Sequence, residues 1–318
     1  MSGVLAFALY NWHYFFAQLV AGLTIGSLYA LIALGYTMVY GILKLLNFAH
    51  GDVYMVGSYI GYFVLTGLGA PLAPDVPTPI LFILMFLAAM LGCGLLGLVI
   101  ERFAYRPLRR APRIAPLISA LGVSFFLQQT ATLLWSPNPR AYDTFSLRGG
   151  ELFHFVSLGN LRFQYAQILV ILSAVLLMVA LTLLVWRTTV GKAMRATSFD
   201  LEAASMMGVD IDRVIAFTFF VGSALAGAAG VMYGLVFQNI NPYVGFGAGL
   251  KAFTAAVVGG IGNITGAMLG GMIIGIAEAL TTGYLSSTFR DLIVFSVLVA
   301  FMIFRPTGIR GAPALQKV

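Results

Sequence analysis

Five polar side chains stand where the sequence is otherwise strongly apolar, and they are the residues best placed to do chemistry. Asn47, His50 and Asp52 lie between the first two hydrophobic runs, Asn263 follows a glycine cluster, and Glu278 lies deep in an apolar run. Ionisable groups at membrane depth are costly and tend to mark function. These groups could line the pathway of a zwitterionic solute. The alternative is structural: His50 and Asp52 would satisfy a helix break, and Glu278 would pair with a neighbour.

Other kinds of site have little support in the residue pattern. No two histidines or carboxylates have metal-ligand spacing on one helix, and Cys93 is the single cysteine, so we expect no metal centre. A phosphate-binding loop would end in Gly-Lys-Ser/Thr, but Gly191-Lys192 continues with Ala193. We therefore expect no cofactor and no catalytic activity. An embedded enzyme using His50 and Asp52 as an acid-base pair would lack a nucleophile or metal.

The composition indicates the elements that must position these residues. Of 318 residues, 60% are hydrophobic and only 9% are charged, which excludes a soluble globular enzyme. The net charge of +7 does not indicate nucleic acid, because the basic residues cluster between hydrophobic runs. That distribution is typical of a protein embedded in the lipid bilayer. We expect a multi-pass membrane protein.

Uncharged runs separated by prolines predict the helices, since a membrane-spanning helix needs roughly 20 apolar residues. The prediction is an all-α, polytopic transmembrane helical bundle that forms a single domain over residues 1–318. Eight spanning helices are expected near 15–36, 53–69, 80–100, 115–136, 165–186, 214–236, 264–284 and 290–304. Glycines four residues apart, such as Gly22/Gly26 and Gly57/Gly61, predict close packing between these helices.

A ninth apolar stretch near 248–261 is too short to span a bilayer of about 30 Å as a helix. We predict a broken or re-entrant helix there, with the break at Gly259-Gly260-Ile261-Gly262-Asn263. A plain loop, with one crossing fewer, is the alternative.

The positions of lysine and arginine predict the orientation. Lys44, the segment 102–113, the loop 187–213 and the C-terminal tail carry 13 of the 18 basic residues when they are placed on one side. Cytoplasmic loops are enriched in these residues, so this side should be cytoplasmic. The largest external loop is then 137–163. The remaining basic residues should face outward; they are Arg140, Arg148, Arg162, Lys251 and Arg290.

The internal loop 187–213 differs from a simple basic loop because it balances four basic with four acidic residues. Asp200 or Ser198 could cap a short helix through Glu202, with Gly208 just past its end. Apolar side chains in the same loop would lie at the membrane surface; they are Met194, Phe199, Met206 and Met207. Exposed apolar residues on such a loop indicate a partner protein.

Several motifs of the chain, in order and spacing, resemble those of a known family. Glu202-Ala203-Ala204-x-x-x-Gly208 resembles the Glu-Ala-Ala loop of permease subunits in ATP-binding-cassette importers. Further blocks resemble the branched-chain amino acid group of these permeases; they lie at 22–36, 47–52, 191–196, 216–230 and 256–263. An apolar-proline pair that follows the triplet in other importer classes is absent here. The similarity covers nearly the whole chain.

The resemblance implies a non-catalytic permease subunit of the bacterial inner membrane that translocates branched-chain or related amino acids. Its partners would be cytoplasmic ATPase subunits, a second permease subunit and an external substrate-binding protein. The ATPase-docking residues would be Gly191, Arg195, Glu202, Ala203, Ala204 and Gly208. Glu202 and Arg195 would make charge-assisted bonds to the ATPase. The alternative is an ion- or proton-coupled secondary transporter or channel, in which Asp52, His50 and Glu278 would couple ions.

Overall fold

The chain forms a helical bundle in a computed structural model that describes residues 12–67, 77–109, 111–112, 114–142, 155–158 and 161–311. Its helices are α1 Trp12–Leu43, α2 His50–Gly67, α3 Thr78–Ile100, α4 Ile114–Trp135, α5 Tyr165–Arg187, α6 Thr189–Phe199, α7 Leu201–Met206, α8 Ile211–Phe237, α9 Val244–Gly259, α10 Ile264–Tyr284 and α11 Arg290–Phe304. Helix α3 continues as a π-helix over Glu101–Tyr105 and a 3₁₀ turn over Arg106–Leu108. The predicted bundle is confirmed.

Among the described residues, seven helical segments are long and apolar enough to cross a membrane. They contain α1, α3, α4, α5, α8, α10 and α11. The other predicted span is α2, which has 18 residues and begins with His50 and Asp52. These two polar residues lower its apolar character, but the helix is largely buried among its neighbours.

Helix α8 is the most enclosed of the long helices, and small residues let others approach it closely. A Cβ added at Gly57 of α2 would lie 2.5 Å from the Cα of Gly227 in α8. On the other side of the bundle, a Cβ at Gly26 of α1 would lie 2.9 Å from the Cα of Met272 in α10. Membrane helices lack a hydrophobic force between them and associate through such close packing.

The short helix predicted near 248–261 is α9, and the predicted glycine break lies at its C-terminal end. Helix α9 has 16 residues, which is about 24 Å at 1.5 Å per residue, so it is shorter than a bilayer core. The chain turns at Gly260 and Gly262, where φ is 103° and 94°. Positive φ suits glycine and strains other residues. Helix α10 then packs back along α9, with Gly266 against Gly259. The loop alternative is therefore wrong.

The segments predicted to share one side do so. One cavity is lined by the end of α1, the end of α5, helix α6 and residues 262–265. The C-terminal segment joins them, because Ile309 and Arg310 donate backbone hydrogen bonds to Val258 and Gly259. We call this side, with Lys44, Arg106, Arg187 and Arg305, the basic face.

Short strands, which an all-α prediction omits, lie in the predicted external loop and near it. Strand β1 (Arg140–Ala141) pairs with β4 (Asn239–Ile240), and β2 (Phe155–Leu158) pairs with β3 (Leu161–Gln164). Residues 143–154 of this loop, including Arg148, lie outside the described residues. The outward position predicted for Lys251 is wrong, because its side chain is only 8% exposed and lies inside the bundle.

Candidate functional site

A helical hairpin projects from the basic face between α5 and α8, at the predicted docking loop. The Asp200 carboxylate begins α7 by accepting bonds from the backbone N–H groups of Glu202, at 2.9 Å, and Ala203, at 3.1 Å. This is the N-cap role that the sequence predicts, since a carboxylate satisfies the free N–H groups of a first turn. Gly208 follows the helix with φ 84°, as expected for a residue just past a helix end.

The tip of this hairpin exposes large apolar side chains. Phe199, Met206 and Met207 are 86%, 89% and 84% exposed. Glu202 and Ala203 are also exposed, whereas Ala204 is buried beneath them. Several large apolar side chains exposed on one short segment, with a carboxylate beside them, are typical of a protein-binding surface. We call the patch formed by Phe199, Leu201, Glu202, Met206 and Met207 the tip surface.

Three other residues of the predicted docking loop contact the bundle and attach the hairpin to it. Gly191 is buried where a side chain would collide with the carbonyl groups of Leu184 and Val185. Arg195 lies over the Trp186 ring at 4.8 Å and donates to the Val185 carbonyl. Met194 is 4% exposed, so its predicted place at the membrane surface is wrong. Because these contacts hold α6 on α5 and place Arg195 in the wall of the cavity rather than on the tip surface, the bonds expected from Arg195 to a partner protein have no support in this geometry.

Ion pairs connect the start of α8, which directly follows the hairpin, to the end of α3. Asp212, in the first turn of α8, accepts bonds from Arg106 and Arg109 at the end of α3. Arg109 also pairs with the Glu101 carboxylate, which is 4% exposed. Glu101 opens the π-helical turn, and such turns are frequent at functional sites. A displacement of α7 would therefore act on α3 as well as on α8.

Asp52 is the centre of a polar cluster inside the bundle. Its carboxylate accepts hydrogen bonds from the Ser124 hydroxyl and, at 3.0 Å, from Gln128 Nε2 on α4. Asp52, Ser124 and Gln128 are 1%, 2% and 6% exposed. Residues 124 and 128 are one helical turn apart, so both side chains meet the same carboxylate.

His50 and Asn47 lie close to Asp52 along the chain but contact different helices. The His50 ring fills the space opposite Gly35, where α1 comes close to Gly222 of α8. It packs edge-on against Tyr36, with ring centroids 5.0 Å apart. Asn47 Oδ1 accepts a bond of 3.1 Å from the Tyr105 hydroxyl. The three residues are buried together near the start of α2.

Asn263 and Glu278 lie elsewhere in the bundle and have partners that explain them. Asn263 caps α10 by accepting from the Gly266 N–H at 2.9 Å, and its Nδ2 donates to the Arg310 carbonyl. Glu278 pairs with Lys251 at 3.0 Å and accepts a bond of 2.8 Å from the Tyr29 hydroxyl. Glu278 thus has the pairing that the structural interpretation predicts. The five polar residues therefore do not form one site.

Several residues of these clusters were not identified from the sequence alone. Ser124 and Gln128 are uncharged polar residues four apart in an apolar run, and that spacing could have indicated a polar face on α4. Lys251 was predicted to face outward, because it is the only charge on its short helix and the sequence shows no partner for it there. No sequence pattern connects Arg109 with Asp212, because 103 residues separate them.

Together, the bundle and the hairpin define a polytopic membrane protein that exposes a short helix on its basic face. A family model described as "Branched-chain amino acid transport system / permease component" matches residues 18–304. The chain belongs to this family of permeases.

Individual relatives agree over nearly their full length. The chain is 45% identical over 306 residues to the "High-affinity branched-chain amino acid transport system permease protein BraD" of Pseudomonas aeruginosa, covering 96% of this chain and 99% of that protein. It is 44% identical to the Escherichia coli LivH permease protein of the same description, over 96% and 98% of the two chains. A probable LivH of Methanocaldococcus jannaschii is 31% identical, over 90% and 89%.

Proposed function

We propose that this chain is the membrane-spanning permease subunit of an ATP-driven importer for branched-chain amino acids. The observation that carries the proposal is the tip surface, because a transporter that works alone has no use for an uncovered apolar helix on its basic face. The names of the relatives, at 44–45% identity over almost the whole chain, support the substrate class. On this proposal, the basic face is the cytoplasmic face.

The tip surface would bind an ATPase subunit. The small side chain of Ala203 lets α7 lie deep in a groove, while Met206 and Met207 supply adaptable apolar contacts. Glu202 is free to meet a cationic residue of the partner. When two ATPase subunits close around ATP, the docked helices would move and shift the bundle between inward and outward openings, both of which exist beforehand.

The same proposal assigns the remaining partners and the pathway. An external binding protein would deliver the solute to the opposite face, and a second permease subunit would complete the pathway. The cluster of Asp52, Ser124 and Gln128 is the part of the interior whose polarity suits a zwitterion. Asn47 and His50 would shape its inner end. Asn263 and Glu278 are not part of the proposed pathway, because their hydrogen bonds and ion pair connect segments of the bundle to one another.

The test uses the whole complex reconstituted in vesicles. Glu202→Lys combined with Met206→Ser should leave the permease in the membrane but abolish both the bound ATPase and ATP-dependent uptake of leucine. Lys192→Glu, on the exposed side of α6, is the matched control and should transport normally. If the altered complex still imported leucine with ATP, the docking assignment would be wrong. Uptake driven by a proton gradient without ATP would favour the secondary-transporter alternative.

A further inference from the structure

A cavity lies on the basic face, between the hairpin and the end of α1. Its volume is about 340 Å³, and it is a partly open pocket lined by α1, α5, α6 and the turn before α10. Ligand pockets occupy roughly 300–1,000 Å³, so this one suits a molecule of amino-acid size. It is separate from the Asp52 cluster, since the residues of that cluster do not line it.

Most of the cavity wall is apolar, with side chains such as Met38, Ile42 and Ile264. Its charged lining residue is Arg195, and none of the described residues that line it is acidic. The wall therefore suits a ligand that has an aliphatic part and a negative charge.

Thr37 supplies an independent sign that a ligand belongs in the cavity. It lines the cavity, is 1% exposed, and its hydroxyl finds no hydrogen-bond partner among the described residues. Helical threonines elsewhere in the bundle do not behave this way, because Thr218 and Thr254 donate to the carbonyl four residues earlier at 2.8 Å and 3.0 Å. A buried polar group without a partner is costly, and an unfilled ligand position explains it.

Arg195 can hold an anion without leaving its present place. One of its guanidinium nitrogens donates to the Val185 carbonyl, and the group lies over the Trp186 ring. A guanidinium has five donors, and its planar shape matches a carboxylate with two parallel bonds. The Thr37 hydroxyl could complete the set as a third donor.

We infer that this cavity is a binding site for an aliphatic carboxylate, held by Arg195 and Thr37 with its hydrocarbon part against the apolar wall. Two sources share this chemistry. One is a branched-chain amino acid released on the cytoplasmic side, and this source alone rests on the proposed function. The other is a fatty acid from the membrane. Because α6 forms one wall, an occupant would lie directly behind the docking hairpin.

Trp186 provides a local probe, since it lines the cavity and the chain has three tryptophans. With Trp12→Phe and Trp135→Phe, the fluorescence of the full chain in lipid nanodiscs would come from Trp186 alone. The ligands to titrate are 4-methylpentanoate, L-leucine, decanoate and, as the control without a carboxylate, 3-methylbutylamine. We expect a saturable change with 4-methylpentanoate and none with the amine. A response to L-leucine or to decanoate identifies the source.

Variants separate binding in the cavity from other effects. Thr37→Val should weaken the apparent affinity about fivefold, the value of one hydrogen bond, and Arg195→Gln at least about tenfold. Gly41→Leu should abolish the response by filling the cavity, because the nearest atom to an added Cβ is the Gly262 Cα at 3.9 Å. Gly122→Leu adds the same bulk in open space on α4 and should change nothing.

The inference is overturned if no carboxylate changes Trp186 fluorescence, if the amine acts equally, or if Gly41→Leu keeps the full response. If Arg195→Gln does not fold, Thr37→Val and Gly41→Leu decide the question. These measurements need no ATPase, so their failure is distinct from a failure of the docking assignment, which is measured as transport.

Discussion

Lys251 and Glu278 form an ion pair of 3.0 Å inside the bundle, and their side chains are only 8% and 4% exposed. The pair joins α9 to α10. Lys251 also lies 2.8 Å from Asp291 in the first turn of α11, and Glu278 accepts from Tyr29 of α1. A helix of 16 residues, shorter than a bilayer core, is thereby tied to its neighbouring helices.

Removing one member of this pair should destabilise the protein strongly. Lys251→Met removes the buried cation beside Glu278 and leaves, among the described residues, only the half-exposed Arg290, whose Nε lies 3.3 Å from the carboxylate. Breaking a buried pair costs up to about 3–5 kcal/mol. We expect a large fall in the melting temperature of the purified protein, measured by fluorescence-detected size exclusion. Lys251→Met with Glu278→Gln should regain much of the loss. A single variant as stable as the parent would show that the pair contributes nothing.

The turn after the docking helix should depend on glycine at position 208. Its φ of 84° strains other residues, although an added Cβ would meet no atom within 4 Å. Gly208→Val should therefore reduce leucine-stimulated ATP hydrolysis by the reconstituted complex while leaving membrane insertion intact.

Gly122→Val is the control for this change, because position 122 is equally open but lies within a regular helix. If the two substitutions affected ATP hydrolysis equally, the conformation of Gly208 would have no special role.

The link from α8 to α3 should transmit motion of the hairpin. Asp212→Asn removes the carboxylate that accepts from Arg106 and Arg109, and we expect ATP hydrolysis to continue with less transport per ATP. The measurement is the ratio of leucine imported to ATP consumed.

Arg213→Gln is the matched comparison, because its pair with Asp210 joins side chains that are 88% and 50% exposed. Exposed pairs contribute little, so the ratio should not change. An unchanged ratio in Asp212→Asn would contradict the link.

The Asp52 cluster should matter for transport more than for assembly. Asp52→Asn keeps the shape of the side chain but removes the negative charge to which Ser124 and Gln128 donate hydrogen bonds. We expect uptake of leucine to fall at least about tenfold, since hydrogen bonds to charged groups are worth about 1.5–3 kcal/mol. Uptake and the amount of assembled complex are measured together. Ser124→Ala should have a smaller effect, and normal uptake by Asp52→Asn would exclude the cluster from the pathway.

The bundle and the docking hairpin were both predictable from local patterns. The helix Ile264–Tyr284 agrees with its predicted bounds because an apolar run and a flanking glycine break define it. Asp200 as a cap and Gly208 as a terminator are also local, since each acts on backbone groups within a few residues. The end of α1 was less predictable, because the helix continues to Leu43 without a proline to stop it.

The polar residues inside the bundle show where local patterns stop being informative. The sequence placed Asn47, His50, Asp52, Asn263 and Glu278 in or beside apolar segments, and it could not tell a pathway from a structural pair. Which of these two roles a residue has depends on a partner far along the chain, such as Gln128 for Asp52 or Lys251 for Glu278.

By itself, the sequence determined that this is a membrane-embedded helical bundle with a capped, apolar-tipped hairpin on its basic side. Hydrophobic length, helix capping and charge distribution act over a few residues or a single span, so they can be recognised without coordinates. Only the tertiary structure decided which charges are paired, that Arg195 holds α6 on α5, and that Thr37 lines a cavity with no hydrogen-bond partner for its hydroxyl in the described part of the chain. Those outcomes depend on which helix faces bury each other, and a buried polar group takes its role from the atoms that surround it.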